Sequence, residues 1–137
     1  MALRVVVFGG HRYPAADEAR RKALVWRALD LLHRRHGICA VIQGAADGVD
    51  RWAAEWGWAF RDRGEPPMPV CSFAADWDAH GKAAGPMRNR RMILEGRPDV
   101  GVGFPGERGS RDMGEACADY FVRVWWPLGP PDTWPQP

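Results

Sequence analysis

Two kinds of hydrophobic pattern alternate along the chain. Residues 3–8, "LRVVVF", are a β-branched run closed by Gly9 and Gly10, the signature of a strand buried on both faces. Ala16 to His36 then places Leu24, Ala28, Leu31 and Leu32 at helical spacing, which predicts an amphipathic helix. "CAVIQG" (39–44) predicts a second strand, and residues 48–61 a second helix with Val49, Ala53, Trp56 and Phe60 on one face. Pro66, Pro67 and Pro69 mark a turn before a third strand, "VCSF" (70–73). Residues 74–85 have no period and read as a loop. Pro86 suits the first turn of a helix running to about Glu95 and capped by Gly96. "DVGVGF" (99–104) predicts a fourth strand, Ser110–Phe121 a fourth helix, and "VRVWW" (122–126) a fifth strand.

Strand and helix in strict alternation predict a parallel sheet covered on both faces, joined by right-handed crossovers. The expected fold is α/β, a Rossmann-like three-layer α/β/α domain with a five-stranded parallel sheet in the order 3-2-1-4-5. In such sheets ligands bind beyond the carboxyl ends of the strands, where the order reverses. That crevice lies between strands 1 and 4, and the loops meeting there are "GGHRYP" and "FPGERGS".

Composition narrows the picture. A length of 137 residues with 46% hydrophobic content suits one domain, taken as residues 1–127, followed by a tail at 128–137. "PLGPPDTWPQP" holds five of the twelve prolines and is expected to be an extended arm or disordered. A formal net charge of +2 makes nucleic acid an unlikely partner, so any cationic role is local. The N-terminal apolar run spans only Val5–Phe8, too short for a signal peptide or a membrane span, and a cytoplasmic location is expected. Cys39, Cys71 and Cys117 lack CxxC spacing and suit reduced, packed thiols. The four histidines form no metal-binding pair, and neither metal nor cofactor is expected. Among the eight tryptophans, Trp52, Trp56 and Trp58 share one segment and read as core or dimer interface. A base-stacking platform is the alternative.

Three glycine-bearing segments follow predicted strands: Gly9-Gly10-His11-Arg12, "QGAADGVD" with Gly44 and Asp50, and Gly106-Glu107-Arg108-Gly109-Ser110. Glycine lets backbone approach a phosphate, and a helix N-terminus behind it offers unpaired N–H donors. Asp47 or Asp50 is expected to hydrogen-bond backbone at the start of the second helix. "GPMRNRRM" adds Arg88, Arg90 and Arg91, of which at most one or two can face a common ligand, because positions i and i+2 point apart on a helix. His80 and Lys82 precede them and are placed to close over a ligand. Neither GxGxxG nor GxxxxGK[ST] occurs, against an ordinary dinucleotide or P-loop site.

"GGHRYP", "QGAADGVDRWA", "ADWDAHGKAAGPMRNRRM" and "FPGERGSRDM", in this order, resemble the YspA-type branch of the SLOG superfamily. That superfamily also holds the Smf/DprA DNA-processing domains and the LOG phosphoribohydrolases. The resemblance implies a Rossmann-like domain that binds a nucleotide or nucleotide derivative, as a dimer or higher oligomer. LOG enzymes pair a catalytic arginine with the glutamate of PGGxGTxxE. Matched position by position, Arg90 falls at the arginine, Ser110 at the threonine, Glu107 at a glycine and Met113 at the glutamate. The resemblance therefore implies an anion site kept and its carboxylate lost, with Arg90 and Glu107 the candidate catalytic pair if hydrolysis survives. The expected phosphate-binding set is Gly9, Gly10, His11, Arg12, Gly44, Asp50, Lys82, Arg88, Arg90, Gly106, Glu107, Arg108, Gly109 and Ser110. Binding is the leading expectation, as a sensor or regulatory module. LOG-like N-glycosidic hydrolysis is the alternative, and single-stranded DNA binding a third.

Overall fold

A computed structural model describes residues 1–134. Strands β1 (Leu3–Phe8), β2 (Ile38–Gln43), β3 (Val70–Ser72), β4 (Val100–Gly103) and β5 (Val124–Trp125) form one sheet, parallel throughout, in the order β3-β2-β1-β4-β5. The order is the one expected from the sequence. Helices α1 (Ala15–His36), α2 (Val49–Asp62), α3 (Trp77–His80), α4 (Ala84–Leu94) and α5 (Arg108–Asp119) complete a Rossmann-like α/β fold.

The two-residue period of β1 divides the core. Val5 and Val7 pack with Val25 and Leu29 of α1 and Trp52 and Trp56 of α2. Val6 and Phe8 face Met92 and Ile93 of α4 and Met113 and Cys117 of α5 on the other side. Each fully buried aliphatic side chain contributes about 1.5–3 kcal/mol. Trp52 and Trp56 are core, as expected, whereas Trp58 is exposed. Two indole N–H groups have partners across the helices: Trp56 Nε1–H donates to Asp30 at 2.9 Å, and that of the half-buried Trp26 to the Trp52 carbonyl at 2.9 Å.

Several local expectations are corrected. Residues 74–85 are not a bare loop. Asp76 Oδ1 accepts from the Ala79 N–H at 3.1 Å and starts the one-turn α3, a 3-10 turn spans Gly81–Ala83, and α4 begins at Ala84. Pro86 is thus the third residue of α4, still within the turn whose N–H groups have no intrahelical partner. Glu95, not Gly96, follows its last turn. Helix α5 begins two residues before Ser110, and β5 is only two residues long. Of the three thiols, Cys117 is buried, Cys71 half-buried and Cys39 exposed, over a shallow surface groove beside His33 and Pro67. Burial pushes the Cys117 thiol up to about 12.

The proline-rich tail does not extend as an arm over its described part. Residues 131–133 form a 3-10 turn, and Trp134, 4% exposed, packs edge-on against Trp126. Arg111 of α5 donates to the Pro131 carbonyl at 3.2 Å, and its guanidinium lies over the Trp134 ring. One large aromatic supplies enough apolar area to hold a stretch that its prolines alone would leave open. Residues 135–137 of that tail lie outside the described residues.

Candidate functional site

At the order reversal between β1 and β4, the loops after the strands enclose a cleft of about 60 Å³. Backbone hydrogen bonds fix its walls. The Gly10 N–H donates to the Pro105 carbonyl at 3.1 Å, and the Gly10 carbonyl accepts from the Val49 N–H at 3.1 Å, so the loops after β1 and β4 and the start of α2 meet at one residue. Tyr13 Oη also donates to Pro105 O at 3.2 Å. The loops touch because Gly106 has no side chain: a Cβ there would collide with Ser110 Oγ and lie 2.8 Å from Gly10 N.

Helix α5 points its N-terminus into this cleft, with Glu107, Gly109 and Ser110 among the lining residues. The backbone N–H groups of Arg108, Gly109 and Ser110 have no partner among the described residues. They are the orphan donors of a helix's first turn, at its partially positive end. Beside Gly109 a Cβ would meet nothing within 4 Å, so the approach is open.

Facing these donors is a buried charged group. Asp50, 7% exposed, sits in the first turn of α2, and its Oδ2 accepts from the Ala46 N–H at 3.3 Å. Its bond therefore goes back to the preceding loop, and Gly48 occupies the N-cap with no side-chain cap bond. The expectation that an aspartate would satisfy α2's own orphan donors is corrected: Asp50 is already inside the helix, two residues past the N-cap position. Asp47 is exposed. Burial pushes the Asp50 carboxyl up to about 6, against the Arg88 charge and the Ala46 and Gly44 N–H groups, which hold it down. Arg88 Nη1 donates to the Gly44 carbonyl at 2.5 Å, and burial draws its guanidinium below the usual arginine range.

The α4 arginines diverge. Arg88 lines the cleft, whereas Arg90 lies on the outer side, donating to the Pro86 carbonyl at 3.2 Å and standing 4.0 Å from Asp112. Arg91 pairs with Glu95 at 2.9 Å. Of the residues singled out from sequence, Gly9, His11, Asp50, Arg88, Glu107, Gly109 and Ser110 come together at the cleft. Gly10, Gly44 and Gly106 shape it from behind through the contacts described. Arg12, Lys82, Arg90 and Arg108 are exposed and do not line it. Met113, 1% exposed, stands on its wall at the position matching the LOG glutamate.

Asn89 is a lining residue that the sequence reading missed. It is 2% exposed, and its Nδ2 donates to Asp112 Oδ2 at 2.9 Å and to the Gly109 carbonyl at 3.2 Å, tying α4 to the first turn of α5. The signal lies in the phase of α4, whose buried small and apolar positions are Ala84, Gly85, Met92 and Ile93, with residues 88 and 89 on the same face; the apolar but exposed Met87 and Leu94 blur that phase in the sequence.

A doubly wound parallel sheet with a polar cleft at its order reversal defines a Rossmann-like domain. Residues 3–80, from β1 through α3, match the profile of the YspA, cpYpsA-related SLOG family, and the chain belongs to that family. It is also similar to a protein of Mycobacterium phage D29, Gene 61 protein, with 41% identity over 85 residues, or 61% of this chain. The match covers 66% of that relative, so the chain spans somewhat less than two thirds of its length. No helix among the described residues is long and apolar enough to cross a membrane.

Proposed function

We propose that the cleft binds the phosphate-bearing end of a nucleotide or nucleotide derivative, in a cytoplasmic module that senses or regulates. The observation that carries this reading is the pair of unpaired N–H groups of Gly109 and Ser110, residues that line the same cleft as Arg88. Preformed backbone donors at a helix N-terminus and a planar cation are what a phosphate's oxygens require. Membership of the SLOG family supports a nucleotide-related ligand. The reading includes a dimer or tetramer, supported by Phe121, 96% exposed, and its exposed neighbours Tyr120 and Trp125 at the sheet edge. Light scattering measures that state.

A second reading, N-glycosidic hydrolysis, is favoured by one feature. Asp50 and Glu107 are two carboxylates of one cleft in different surroundings, the arrangement that separates an acid from a base. Against it, the wall position matching the LOG glutamate is Met113, which neither moves a proton nor stabilises an oxocarbenium charge. Calorimetric titration with AMP and ADP-ribose, alongside chromatography for released adenine, separates the two. Binding without base release is expected, with Glu107→Gln tightening it by removing a negative charge beside the phosphate. Base release by the wild type, abolished in Glu107→Gln, replaces binding with hydrolysis and makes Glu107 the catalytic carboxylate, with Arg90 tested beside it.

A further inference from the structure

The cleft opens to solvent, and its lining, with Asp50, Arg88, Asn89 and Glu107, offers no exposed phenylalanine, tyrosine or tryptophan ring, Phe8 being buried. A surface on which a nucleotide's ring could stack is therefore to be sought where the cleft leads out.

Helix α4 indicates which surface. Positions 85, 88, 89 and 92 share one face at the helical period. Arg88, Asn89 and Met92 line the cleft, and Gly85 continues that face one turn toward the helix N-terminus. Gly85 is buried, and an indole lies over it: a Cβ at 85 would stand 3.2 Å from Trp77 Cη2 and 3.9 Å from Cζ3. The rest of Trp77 is open, with 58% of the residue exposed. Trp77 also follows the carboxyl end of β3, which puts it on the same edge of the parallel sheet as the cleft. Within the described residues no aromatic ring stacks on it, whereas Trp52, Trp56, Trp126 and Trp134 each pack against another ring.

We propose that Trp77 is the stacking platform for the ligand's heteroaromatic ring, at the mouth of the cleft whose floor holds the phosphate. The proposal rests on the phosphate reading above and adds the ring subsite. Gly85 is part of the device. Its missing side chain lets one edge of the indole rest on backbone, which fixes the ring's plane while leaving a face free. A flat, pre-positioned face is sequence-tolerant in what it stacks, so it favours any nucleobase over a bare sugar phosphate.

The test compares AMP with ribose 5-phosphate, which carries the same phosphate and no ring. Wild type is expected to bind AMP tighter by about five- to a hundredfold. Trp77→Ala should bring AMP down to the level of ribose 5-phosphate and leave the latter unchanged, while Trp77→Phe keeps most of the difference. An NMR measurement guards against misfolding of the variants: the Trp77 indole N–H resonance of the wild type, assigned through Trp77→Phe, should shift with AMP and not with ribose 5-phosphate. Equal binding of the two ligands by wild type, or an AMP-bound indole resonance that does not move, overturns the ring subsite and leaves the phosphate site standing. Equal weakening of both ligands in Trp77→Ala reduces Trp77 to a structural role. If wild type binds neither ligand, the phosphate reading falls and the ring subsite with it.

Discussion

Arg88 and Asp50 share the space of one absent side chain. A Cβ on Gly44 would lie 2.6 Å from Arg88 Nη1 and 2.9 Å from Asp50 Oδ2. A guanidinium and a buried carboxylate thus converge on the loop after β2 because that loop has glycine there. Gly44→Ala is expected to push both charges out of place and abolish AMP binding while the far-ultraviolet circular dichroism stays that of the wild type.

The two α4 arginines should separate cleanly. Arg88→Ala removes a charge-assisted donor from the cleft and should weaken AMP binding by about 1.5–3 kcal/mol, or ten- to a hundredfold. Arg90→Ala removes an exposed bond to the Pro86 carbonyl and a contact to Asp112 of the kind worth about 0–1 kcal/mol, and should change affinity by no more than a few fold. Titration calorimetry on both variants decides it, and the reverse ranking would return the clamp to Arg90.

Asp50 predicts a pH dependence of stability. Its folded value of about 6 lies above the ordinary 3.8, so between these the folded state holds a proton that the unfolded state has released. Stability contributed by this group is therefore full below about pH 3.8, falls as pH rises to about 6, and stays low above. The span corresponds to about 3 kcal/mol at most. Asp50→Asn should flatten that limb, gaining on wild type at pH 7.5 relative to pH 4.5 in urea titrations at the two pH values. An unchanged slope would refute it.

Asn89 and Trp134 test two supports of the N-terminal half of α5. Asn89→Ala removes the buried amide that ties α4 to the Gly109 carbonyl and to the Asp112 carboxylate, a loss of about 1–3 kcal/mol. Trp134→Ala empties the space between Trp126 and Arg111 at a cost of about 3 kcal/mol. Thermal unfolding should show both, but only Asn89→Ala should also weaken AMP, since its amide holds the Gly109 carbonyl at the cleft.

Strand identity and order were legible because β-branched runs such as Val5–Phe8 admit one reading, and the crossover rule orders the rest. Helix α3 was not, since four residues are too few to display a period, and its start depends on a single Asp76 cap. The choice between Arg88 and Arg90 lay in the phase of α4. Spacing alone leaves both open; the small and apolar residues at 84, 85, 92 and 93 turn 88 inward and 90 outward. The resemblance to LOG enzymes placed an arginine by motif position, which fixes distance along the chain but not rotation about the helix. The packed tail depended on Trp134 finding Trp126 and Arg111, a tertiary match that proline content conceals.

The loops around the cleft are joined at Gly10 by main-chain bonds to Pro105 and Val49. Those bonds involve no side chain, so they are indifferent to what stands at His11, Glu107 or Ser110. The scaffold and part of the lining can therefore diverge at different rates: a descendant could exchange His11 and Glu107 and inherit the shape of the hollow intact. Selection acting on such a domain would retune the molecule it recognises far more readily than the place where recognition happens.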